Sequence, residues 1–413
     1  MITWITATLG TAAYNTLPDG GEYGIVDVRD LVDRGGNPPS LVAEKIEQAL
    51  SHLERGQKVV ICCDYGVSRS NAIAAGVLAR TKSFEWHEAV REVVSRTGQR
   101  GISLAVLSVV RQVVESGEAR VNSQPVKSSR RILVTGATGL IGSSLVPRLA
   151  SRHAVVAPSR EALNIVEGSI DLDLMVKEHA IECIVHLANP RIYTTSTSVG
   201  ETLVMLRHVL EVCRENHLKL VYLSSWEVYS GYREAKLASE QLPPLPKSSY
   251  GQTKFLCETL IELYRNLHDV KRWLLRASPV YGEASDKPKF IRTFLHKALR
   301  NEDIVTHRYE NGFPHLDLVY VDDVVSAIVA CVESEVSDSL NIGTGVRTST
   351  AQIAELIREM VGSSSKIVHR TIADFAPNIA MDTRRAAEVV GWRPLVELHE
   401  GLRRLLEPAM NAR

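Results

Sequence analysis

The sequence lacks the marks of membrane, secreted and nucleic-acid-binding proteins. None of its 413 residues belong to an apolar run of about 20, and the opening MITWITATLG lacks a signal peptide's charged segment and long apolar core. Its six cysteines form neither a disulfide framework nor a CxxC metal pattern. Its 48 basic residues balance 48 acidic ones, so the broad positive field of a nucleic-acid binder is absent. We expect a cytoplasmic protein with no metal, nucleic-acid or membrane partner, acting on a small molecule.

The composition is that of an ordinary globular protein, with 45% hydrophobic and 23% charged residues. One hydrophobic core stops growing at roughly 250–300 residues, so the length predicts more than one domain. A polar stretch with Pro, Gly and Ser, ESGEARVNSQPVKSSRR, separates two regions of periodic apolar residues. We predict a first domain over 1–118, a linker over 119–129 and a second domain over 130–413.

Both domains are predicted to be α/β. In the first, YGIVDV and KVVICC are typical of buried strands, and LVAEKIEQALSHLE, NAIAAGVLAR and HEAVREVVSR have apolar residues at helical spacing. In the second, the apolar runs RILVTG, HAVVAP, ECIVHLA, LKLVYLSS and RWLLRAS alternate with helix-like segments. That alternation predicts a doubly wound parallel sheet with crossover helices.

A glycine-rich turn follows the first of these strands, in the order TGATGLIG from Thr135 to Gly142. Gly136, Gly139 and Gly142 allow a tight turn, a close approach of backbone N–H groups to a pyrophosphate, and close packing of the next helix. The N-terminus of that helix faces the anion. The turn predicts a dinucleotide site.

The next strand ends in Ser159-Arg160, where a binder of the ribose 2′-hydroxyl would have an acidic residue. An arginine can pair with a 2′-phosphate, which a carboxylate would repel. The sequence therefore favours NADP over NAD, although NAD remains open.

Three further residues form a candidate set for proton transfer by a tyrosine. Tyr250 and Lys254 are four residues apart, on one face of a predicted helix, and Ser225 ends the strand LKLVYLSS. A lysine beside a tyrosine favours the phenolate, and a serine hydroxyl can hold a substrate oxygen.

Residues from about 130 to 410 resemble the extended short-chain dehydrogenase/reductases, in their NAD(P)-dependent epimerase/dehydratase branch. The stretches that carry the resemblance are TGATGLIG, IVHLA, LVYLSSWEVY, SSYGQTK, LLRASPVYG, DLVYVDDVVSAI, LNIGTG and MDTRRAAEVVGWRP. The resemblance implies a Rossmann-type sheet with a small substrate-binding subdomain, and a catalytic set of Ser225, Tyr250 and Lys254. SREALNI is similar to NADP-using members that reduce or epimerise 4-keto deoxysugars. The cofactor contacts that it implies are Gly136, Thr138, Gly139, Leu140, Ile141, Gly142, Ser159, Arg160, Asn164, Ile165, Leu187, Ala188, Tyr250 and Lys254.

Departures from the family pattern bear on the reaction and the substrate. Glu227 stands where relatives have a base or second proton-transfer group, and Trp226 replaces the aspartic acid that dehydratases use, which argues against 4,6-dehydration. Leu316 replaces an arginine that binds the nucleotide diphosphate, so a nucleotide sugar and a sugar phosphate both stay open. Substitute cations could come from Arg370, Arg292 and Arg308. Relatives often dimerise through two long helices, which allows a homodimer.

The first domain contains a second anion motif, in which KVVICC runs into CDYGVSRS and then a helix. Five residues between Cys63 and Arg69 make a loop that can wrap one phosphate group. The same field would hold Cys63 as a thiolate. Arg69 could bind two phosphate oxygens, and Ser70 could stabilise the thiolate as it leaves.

Residues from about 20 to 115 look like the dual-specificity branch of the protein tyrosine phosphatase superfamily. The resemblance implies a cysteinyl-phosphate mechanism with an aspartic acid some 30 residues upstream as the general acid. Asp30 and Asp33 are the candidates, of which we prefer Asp30. The usual histidine before the nucleophile is Cys62 here.

Three hypotheses follow. The leading one is a bifunctional enzyme: an NADP(H)-dependent oxidoreductase or epimerase for a nucleotide-linked or phosphorylated sugar, fused to a cysteine-dependent phosphomonoesterase. The second is a regulatory protein phosphatase whose reductase-like half senses NADP(H) without catalysis. In the third, the phosphatase-like half only captures a phosphorylated ligand.

Overall fold

A computed structural model of the chain describes residues 2–18, 22–34, 36–81, 84–115, 129–190, 195–283 and 289–411. These residues form two compact units, Met1–Lys127 with Asn164–Glu178 and Ser128–Leu163 with His179–Arg413. The predicted linker lies outside the described residues except for its last position, 129. No helix among the described residues is long and apolar enough to cross a membrane.

The first unit is a four-stranded sheet with helices. Its elements before residue 116 are β1 (Thr3–Trp4), β2 (Leu9–Ala13), β3 (Gly24–Asp27), α1 (Pro39–Glu54), β4 (Val59–Cys63), α2 (Arg69–Thr81), α3 (Trp86–Thr97) and α4 (Leu104–Glu115). The strand order is β1-β2-β4-β3, and β4 is parallel to both neighbours. All five residues of β4 are buried, as its continuous apolar run predicts.

From residue 129 the chain alternates strands and helices. The elements are β5 (Arg131–Thr135), α5 (Leu140–Ala150), β6 (Ala154–Val156), α6 (Ile170–Glu178), β7 (Cys183–His186), α7 (Ser196–Glu215), β8 (Lys219–Ser225), β9 (Lys236–Ala238), α8 (Ser249–His268), β10 (Arg272–Ala277), β11 (Val280–Tyr281), α9 (Lys289–Leu299), β12 (Ile304–Tyr309), β13 (His315–Leu316), β14 (Val319–Tyr320), α10 (Val321–Glu333), β15 (Asp338–Ile342), β16 (Thr348–Ser349), α11 (Thr350–Met360), β17 (Ile367–Ile372), β18 (Asn378–Met381), α12 (Arg384–Val390) and α13 (Leu398–Asn411). Short 3₁₀ helices cover Tyr14–Thr16 and Trp226–Tyr229.

One helix of this series groups with the first unit. The segment Asn164–Glu178, which contains α6, is joined to that unit by ion pairs of Arg100 with Glu167 and Asp171. The sequence pattern placed this segment in the second domain, and nothing in its local periodicity signals the ion pairs.

The second unit is built on a six-stranded parallel sheet in the order β15-β10-β8-β7-β5-β6. The chain moves outward from β5 to β6, then returns to the other side of β5 for β7. That reversal opens a crevice between the carboxyl ends of β5 and β7, where ligands of doubly wound folds bind. The predicted doubly wound parallel sheet is confirmed.

Smaller sheets accompany the large one. The sheet β16-β13-β18-β9 has one antiparallel pair, β13 with β16, and the parallel pairs β12–β17 and β11–β14 form two more. These strands come from the second half of the chain, where the family resemblance implies a substrate-binding subdomain.

A buried ion pair ties the sheet to α8. Arg276 of β10 donates from Nη2 to Oε2 of Glu258 on α8 at 2.8 Å, and Ser224 of β8 donates to Oε1 of Glu258 at 2.5 Å. Arg276 also donates to the hydroxyl of Tyr229 at 2.5 Å. Both charged residues are under 10% exposed. The network therefore fixes α8 against β8 and β10.

We predict that Glu258→Gln lowers the free energy of unfolding by about 3–5 kcal/mol, because it leaves the Arg276 guanidinium buried without its counter-ion. The control is Glu355→Gln, which removes a carboxylate from the exposed pair with Arg358. We expect that control to cost less than about 1 kcal/mol. Guanidinium-induced unfolding of the full chain measures both, and equal losses would contradict a special role for the buried pair.

Candidate active sites

The glycine turn after β5 is shaped by the neighbouring strand. Gly136 has a φ of +73°, and a Cβ there would lie 2.7 Å from the backbone N of Ala188 and 2.7 Å from the carbonyl carbon of Leu187. Only glycine fits both the left-handed conformation and this close approach. Leu187 and Ala188, two of the predicted cofactor contacts, thus lie directly against the turn.

The tip of the turn is open. Thr138 and Gly139 are exposed, Leu140 and Ile141 are half-buried, and Gly142 is buried where α5 packs against the turn. Gly139 is the N-cap of α5, so the positive end of the helix and its free N–H groups are directed at the turn. An open turn with these donors fits the pyrophosphate of NAD or NADP.

A polar pair closes the inner end of this crevice. Thr135 Oγ1 and His186 Nδ1 are 2.8 Å apart at the ends of β5 and β7. Burial, together with the nearby charge of Lys254, lowers the pKa of His186 to about 3. His186 is therefore neutral at physiological pH and is a buried histidine at the end of β7.

The residues after β6 are arranged around Ser159, whose Oγ donates to Oε2 of Glu161 at 3.1 Å. Arg160 is exposed and makes no hydrogen bond or ion pair with the rest of the described chain. Asn164 donates to Oε1 of Glu167 at 2.6 Å, and Ile165 is buried. Asn164 and Ile165 belong to the segment that groups with the first unit, and their predicted cofactor contacts stay predictions.

Ser225 and Glu227 are brought together with the start of α8. Ser225 ends β8 and its Oγ accepts a hydrogen bond from the backbone N of Glu227 at 3.2 Å. Ser248, the N-cap of α8, donates to the carboxylate of Glu227 and accepts from the backbone N of Gly251 at 2.9 Å. Burial raises the pKa of Glu227, against the opposing hydrogen bond from Ser248.

Lys254 lies one helical turn after Tyr250 and is buried. Its Nζ donates to the carbonyl of Leu223 at 2.9 Å, to the hydroxyl of Tyr222 at 3.1 Å and to Oδ1 of Asn189 at 3.5 Å. The same nitrogen is 5.7 Å from the centre of the Tyr250 ring. Burial lowers the pKa of Lys254 to about 8, so its ammonium is still charged at neutral pH.

In the predicted substrate region a buried carboxylate follows Leu316, and the candidate cations come from other elements. Leu316 is half-buried, and the next residue, Asp317, accepts hydrogen bonds from the backbone N–H groups of Thr344, Gly345 and Met381 at 2.7–3.0 Å. Arg308 on β12 and Arg370 on β17 are exposed on adjacent strands, whereas Arg292 donates to the carbonyl of Glu283 at 2.8 Å.

The cysteine loop of the first unit surrounds the Cys63 thiol with donors. Cys63 Sγ is 3.3 Å from Oγ of Ser70 and accepts from the backbone N of Gly66 at 3.2 Å. Burial acts to raise the pKa of Cys63, but hydrogen bonds from the Ser70 side chain and from backbone N–H groups of Ser70, Tyr65 and Gly66 outweigh it, and the pKa is lowered. Burial raises the pKa of the adjacent Cys62 to about 11.

The cysteine loop needs a glycine at position 66, as the turn after β5 needs one at position 136. Gly66 has a φ of +69°, and a Cβ there would be 2.6 Å from the backbone N of Ala13 on β2. Arg69 begins α2 and donates from Nη1 to the carbonyls of Leu31 and Arg29, at 2.8 and 3.3 Å. The predicted parts Cys63, Arg69 and Ser70 therefore converge on one loop.

The two candidate acids are both engaged by other side chains. Asp30 forms an ion pair with Lys45 at 2.7 Å, and Asp33 accepts a hydrogen bond from Ser68 at 2.5 Å. The carbonyls that bind Arg69 flank Asp30 on either side, so the backbone at Asp30 lies beside the loop. Asp30 as the general acid stays a prediction.

Several site residues escaped the sequence patterns. Tyr222 and Asn189 hold Lys254, and Ser248 holds Glu227. Ser248 had a usable signal, because a serine directly before a helix is a preferred N-cap. Tyr222 and Asn189 had none, since each lies far along the chain from Lys254.

Residues 132–343 match the protein-family model described as the NAD dependent epimerase/dehydratase family. The chain is similar to UDP-glucose 4-epimerase of Mycolicibacterium smegmatis, with 32% identity over 311 residues that cover 67% of this chain and 97% of that protein. It is 26% identical to UDP-glucuronic acid decarboxylase 1 of Xenopus tropicalis, over 68% of this chain and 72% of that protein. The crystal structure of UDP-glucose 4-epimerase with UDP-glucose from Thermotoga maritima aligns with a TM-score of 0.60 and 26% identity, over 68% and 99% of the two chains.

These matches agree with the parallel sheet of the second unit. The roles of Ser225, Tyr250 and Lys254 stay predictions. The family expected for the second part of the chain is confirmed, whereas the phosphatase resemblance of the first part stays a prediction. The chain belongs to the NAD-dependent epimerase/dehydratase family.

Proposed function

We propose that the second unit is an NADP(H)-dependent oxidoreductase or epimerase that acts on a nucleotide sugar. The observation that carries the proposal is the buried Nζ of Lys254, which lies 5.7 Å from the centre of the Tyr250 ring at the carboxyl end of a parallel sheet. The names of the relatives support the substrate class, since they are UDP-glucose epimerases and a UDP-glucuronic acid decarboxylase.

The proton chemistry belongs to Tyr250. Its phenolate oxygen would take the proton of a sugar hydroxyl, or its hydroxyl would give a proton to a carbonyl oxygen, and the Lys254 charge favours the anionic form of Tyr250 during that exchange. Ser225 at the end of β8 would hold the same substrate oxygen. The turn from Gly136 to Gly142 would hold the pyrophosphate of a dinucleotide, which when bound supplies hydride chemistry.

Glu227 supplies a second group for proton transfer in the reaction that we propose. Its carboxylate accepts a hydrogen bond from Ser248, the N-cap of α8, which lies two residues before Tyr250, and burial raises the pKa of Glu227. A carboxylate with a raised pKa is a stronger base than an exposed one, so it could remove a proton beside a keto group. We propose epimerisation next to a keto carbon as the reaction that uses it.

Since Leu316 replaces the arginine of the family pattern, other cations would bind the negatively charged part of the substrate. The exposed Arg308 and Arg370 lie on the paired strands β12 and β17. A diphosphate binds well to arginine because the guanidinium presents two parallel donors. We therefore favour a nucleotide sugar, with a sugar phosphate as the alternative.

Tyr250→Phe should lower the rate of hydride transfer about 100-fold or more, because it removes the proton-transfer hydroxyl and keeps the ring. The assay follows reduced nicotinamide absorbance over a panel of UDP-, GDP- and dTDP-sugars. The control is Tyr232→Phe, whose hydroxyl donates to the Pro243 carbonyl at 2.9 Å. A Tyr250→Phe protein as active as wild type would defeat the proposed reaction.

Arg160→Ala should weaken NADP binding by about 10- to 100-fold, the worth of a hydrogen bond to a charged group, and leave NAD binding nearly unchanged. Arg152→Ala is the matched control, because Arg152 is an exposed arginine of the same unit whose partner is Glu333, at 2.9 Å. Fluorescence titration with the reduced forms, NADPH and NADH, measures the affinities. A parallel loss of NAD and NADP affinity would show that Arg160 does not select the 2′-phosphate.

We also propose that the first unit is a cysteine-dependent phosphomonoesterase, on the independent evidence of the Cys63 loop. The Cys63 thiolate would attack phosphorus as the ester P–O bond breaks, and the leaving oxygen would take a proton from Asp30. Water would then attack phosphorus and give a proton to the Asp30 carboxylate as the P–S bond breaks, which releases phosphate and regenerates the Cys63 thiolate, with Ser70 stabilising it. The lowered pKa of Cys63 supports the nucleophile.

Cys63→Ser should abolish phosphate release from sugar phosphates, while Cys62→Ala retains it. In wild type at pH 7, iodoacetamide should alkylate Cys63 well before Cys62, since thiolate forms at lower pH on Cys63 and the pKa of Cys62 is about 11. Peptide mass spectrometry follows both sites. Ligand binding without phosphate release would favour a capture domain, and phosphopeptide turnover that responds to NADP(H) without hydride transfer would favour a regulatory phosphatase.

A further inference from the structure

An acidic side chain lies inside the cysteine loop. Asp64, the residue after Cys63, forms an ion pair with Nη2 of Arg69 through its Oδ2. The Arg69 side chain is 11% exposed and that of Asp64 is 50% exposed. The cation that should receive a phosphate group is therefore already paired with a carboxylate of its own loop, and that carboxylate borders solvent.

The other donors of Arg69 determine which part of the guanidinium is left for a ligand. Nη1 donates to the carbonyls of Leu31 and Arg29 and is thereby committed to the backbone. A phosphate group bound by two parallel hydrogen bonds must then use the edge formed by Nε and Nη2. Asp64 accepts from one of the two N–H groups of Nη2. A phosphate oxygen and the Asp64 carboxylate would thus approach the same nitrogen, where their negative charges repel each other.

The neighbouring carboxylates do not compete in this way. Asp27 is bound bidentately by Arg29, Asp30 pairs with Lys45, and Asp33 accepts from Ser68. Among these four carboxylates, Asp64 is the one paired with the loop arginine.

We propose that Asp64 is a specificity-determining residue of the phosphate loop: its carboxylate must leave Arg69 before an oxyanion binds, and it weakens the binding of small inorganic anions. The inference rests on the proposed phosphate-binding function of this loop. A phosphate ester binds the protein through further groups besides its phosphate. The free energy needed to displace Asp64 is therefore a smaller fraction of the total binding free energy for an ester than for inorganic phosphate. Release of the phosphate product is favoured for the same reason.

The test measures how inorganic phosphate protects Cys63 of the full chain from iodoacetamide. Asp64→Asn and Asp64→Ser should bind phosphate about 3- to 10-fold more tightly than wild type, the range for loss of one solvent-bordering charge interaction. The control for net charge is Glu54→Gln, an exposed position on α1, which should leave protection unchanged.

The outcomes separate the two proposals. If phosphate protects wild type and both Asp64 variants bind it equally or more weakly, Asp64 has no selective role and the phosphate loop stands. If phosphate protects none of the proteins while iodoacetamide still reacts at Cys63, the loop is not a phosphate site and both proposals fail. An equal gain in Glu54→Gln would reduce the effect to net charge and overturn the specific role.

Discussion

Burial of the Lys254 ammonium is the constraint that organises the second unit. A buried cation without partners would cost several kcal/mol, so its place is fixed by the acceptors that the fold provides. Two of them, the Leu223 carbonyl and the Tyr222 hydroxyl, belong to β8, whereas Lys254 belongs to α8. The lysine therefore sets the register of α8 on β8, and Tyr250, one helical turn earlier, comes to the strand's carboxyl end.

The buried ion pair of Glu258 with Arg276 fixes the position of α8 in the same way, one turn after Lys254. It joins α8 to β10, and its contact with Ser224 joins it to the residue beside Ser225. Buried ion pairs are seldom more stabilising than apolar packing, but they penalise any arrangement that separates the partners. The buried polar contacts of Lys254 and Glu258 together restrain both the rotation of α8 about its axis and its translation along the sheet. The proton transfer that we propose for Tyr250 needs that restraint, because a small displacement of its hydroxyl would lower the rate steeply.

Local sequence was sufficient for the parts of the sites that are themselves local. The glycine turn, the strand ends and the four-residue spacing of Tyr250 and Lys254 predicted the sheet type and placed the side chains on their elements. Partners that come from distant segments were not predictable, as Asn189 for Lys254 and Lys45 for Asp30 show. Their identity depends on which surfaces meet after folding, and many polar residues along the chain would have served equally well in a single sequence. The grouping of α6 with the first unit, through the ion pairs of Arg100, has the same origin.

The two units share one backbone device. In each, a buried parallel strand ends in a turn with a left-handed glycine, Gly66 or Gly136, followed by a helix whose N-terminus faces the turn. Each glycine lies against the backbone of an adjacent strand or its continuation, so the sheet itself sets the shape of the turn. The two units differ in where the side chains that we propose to react are placed. Cys63 ends its own strand and lies inside the loop, the position that the proposed attack on a bound phosphate requires. Around Gly136 the proposed reactive groups come from β8 and α8, so in our proposal the turn holds one part of a long ligand while Tyr250 reaches another.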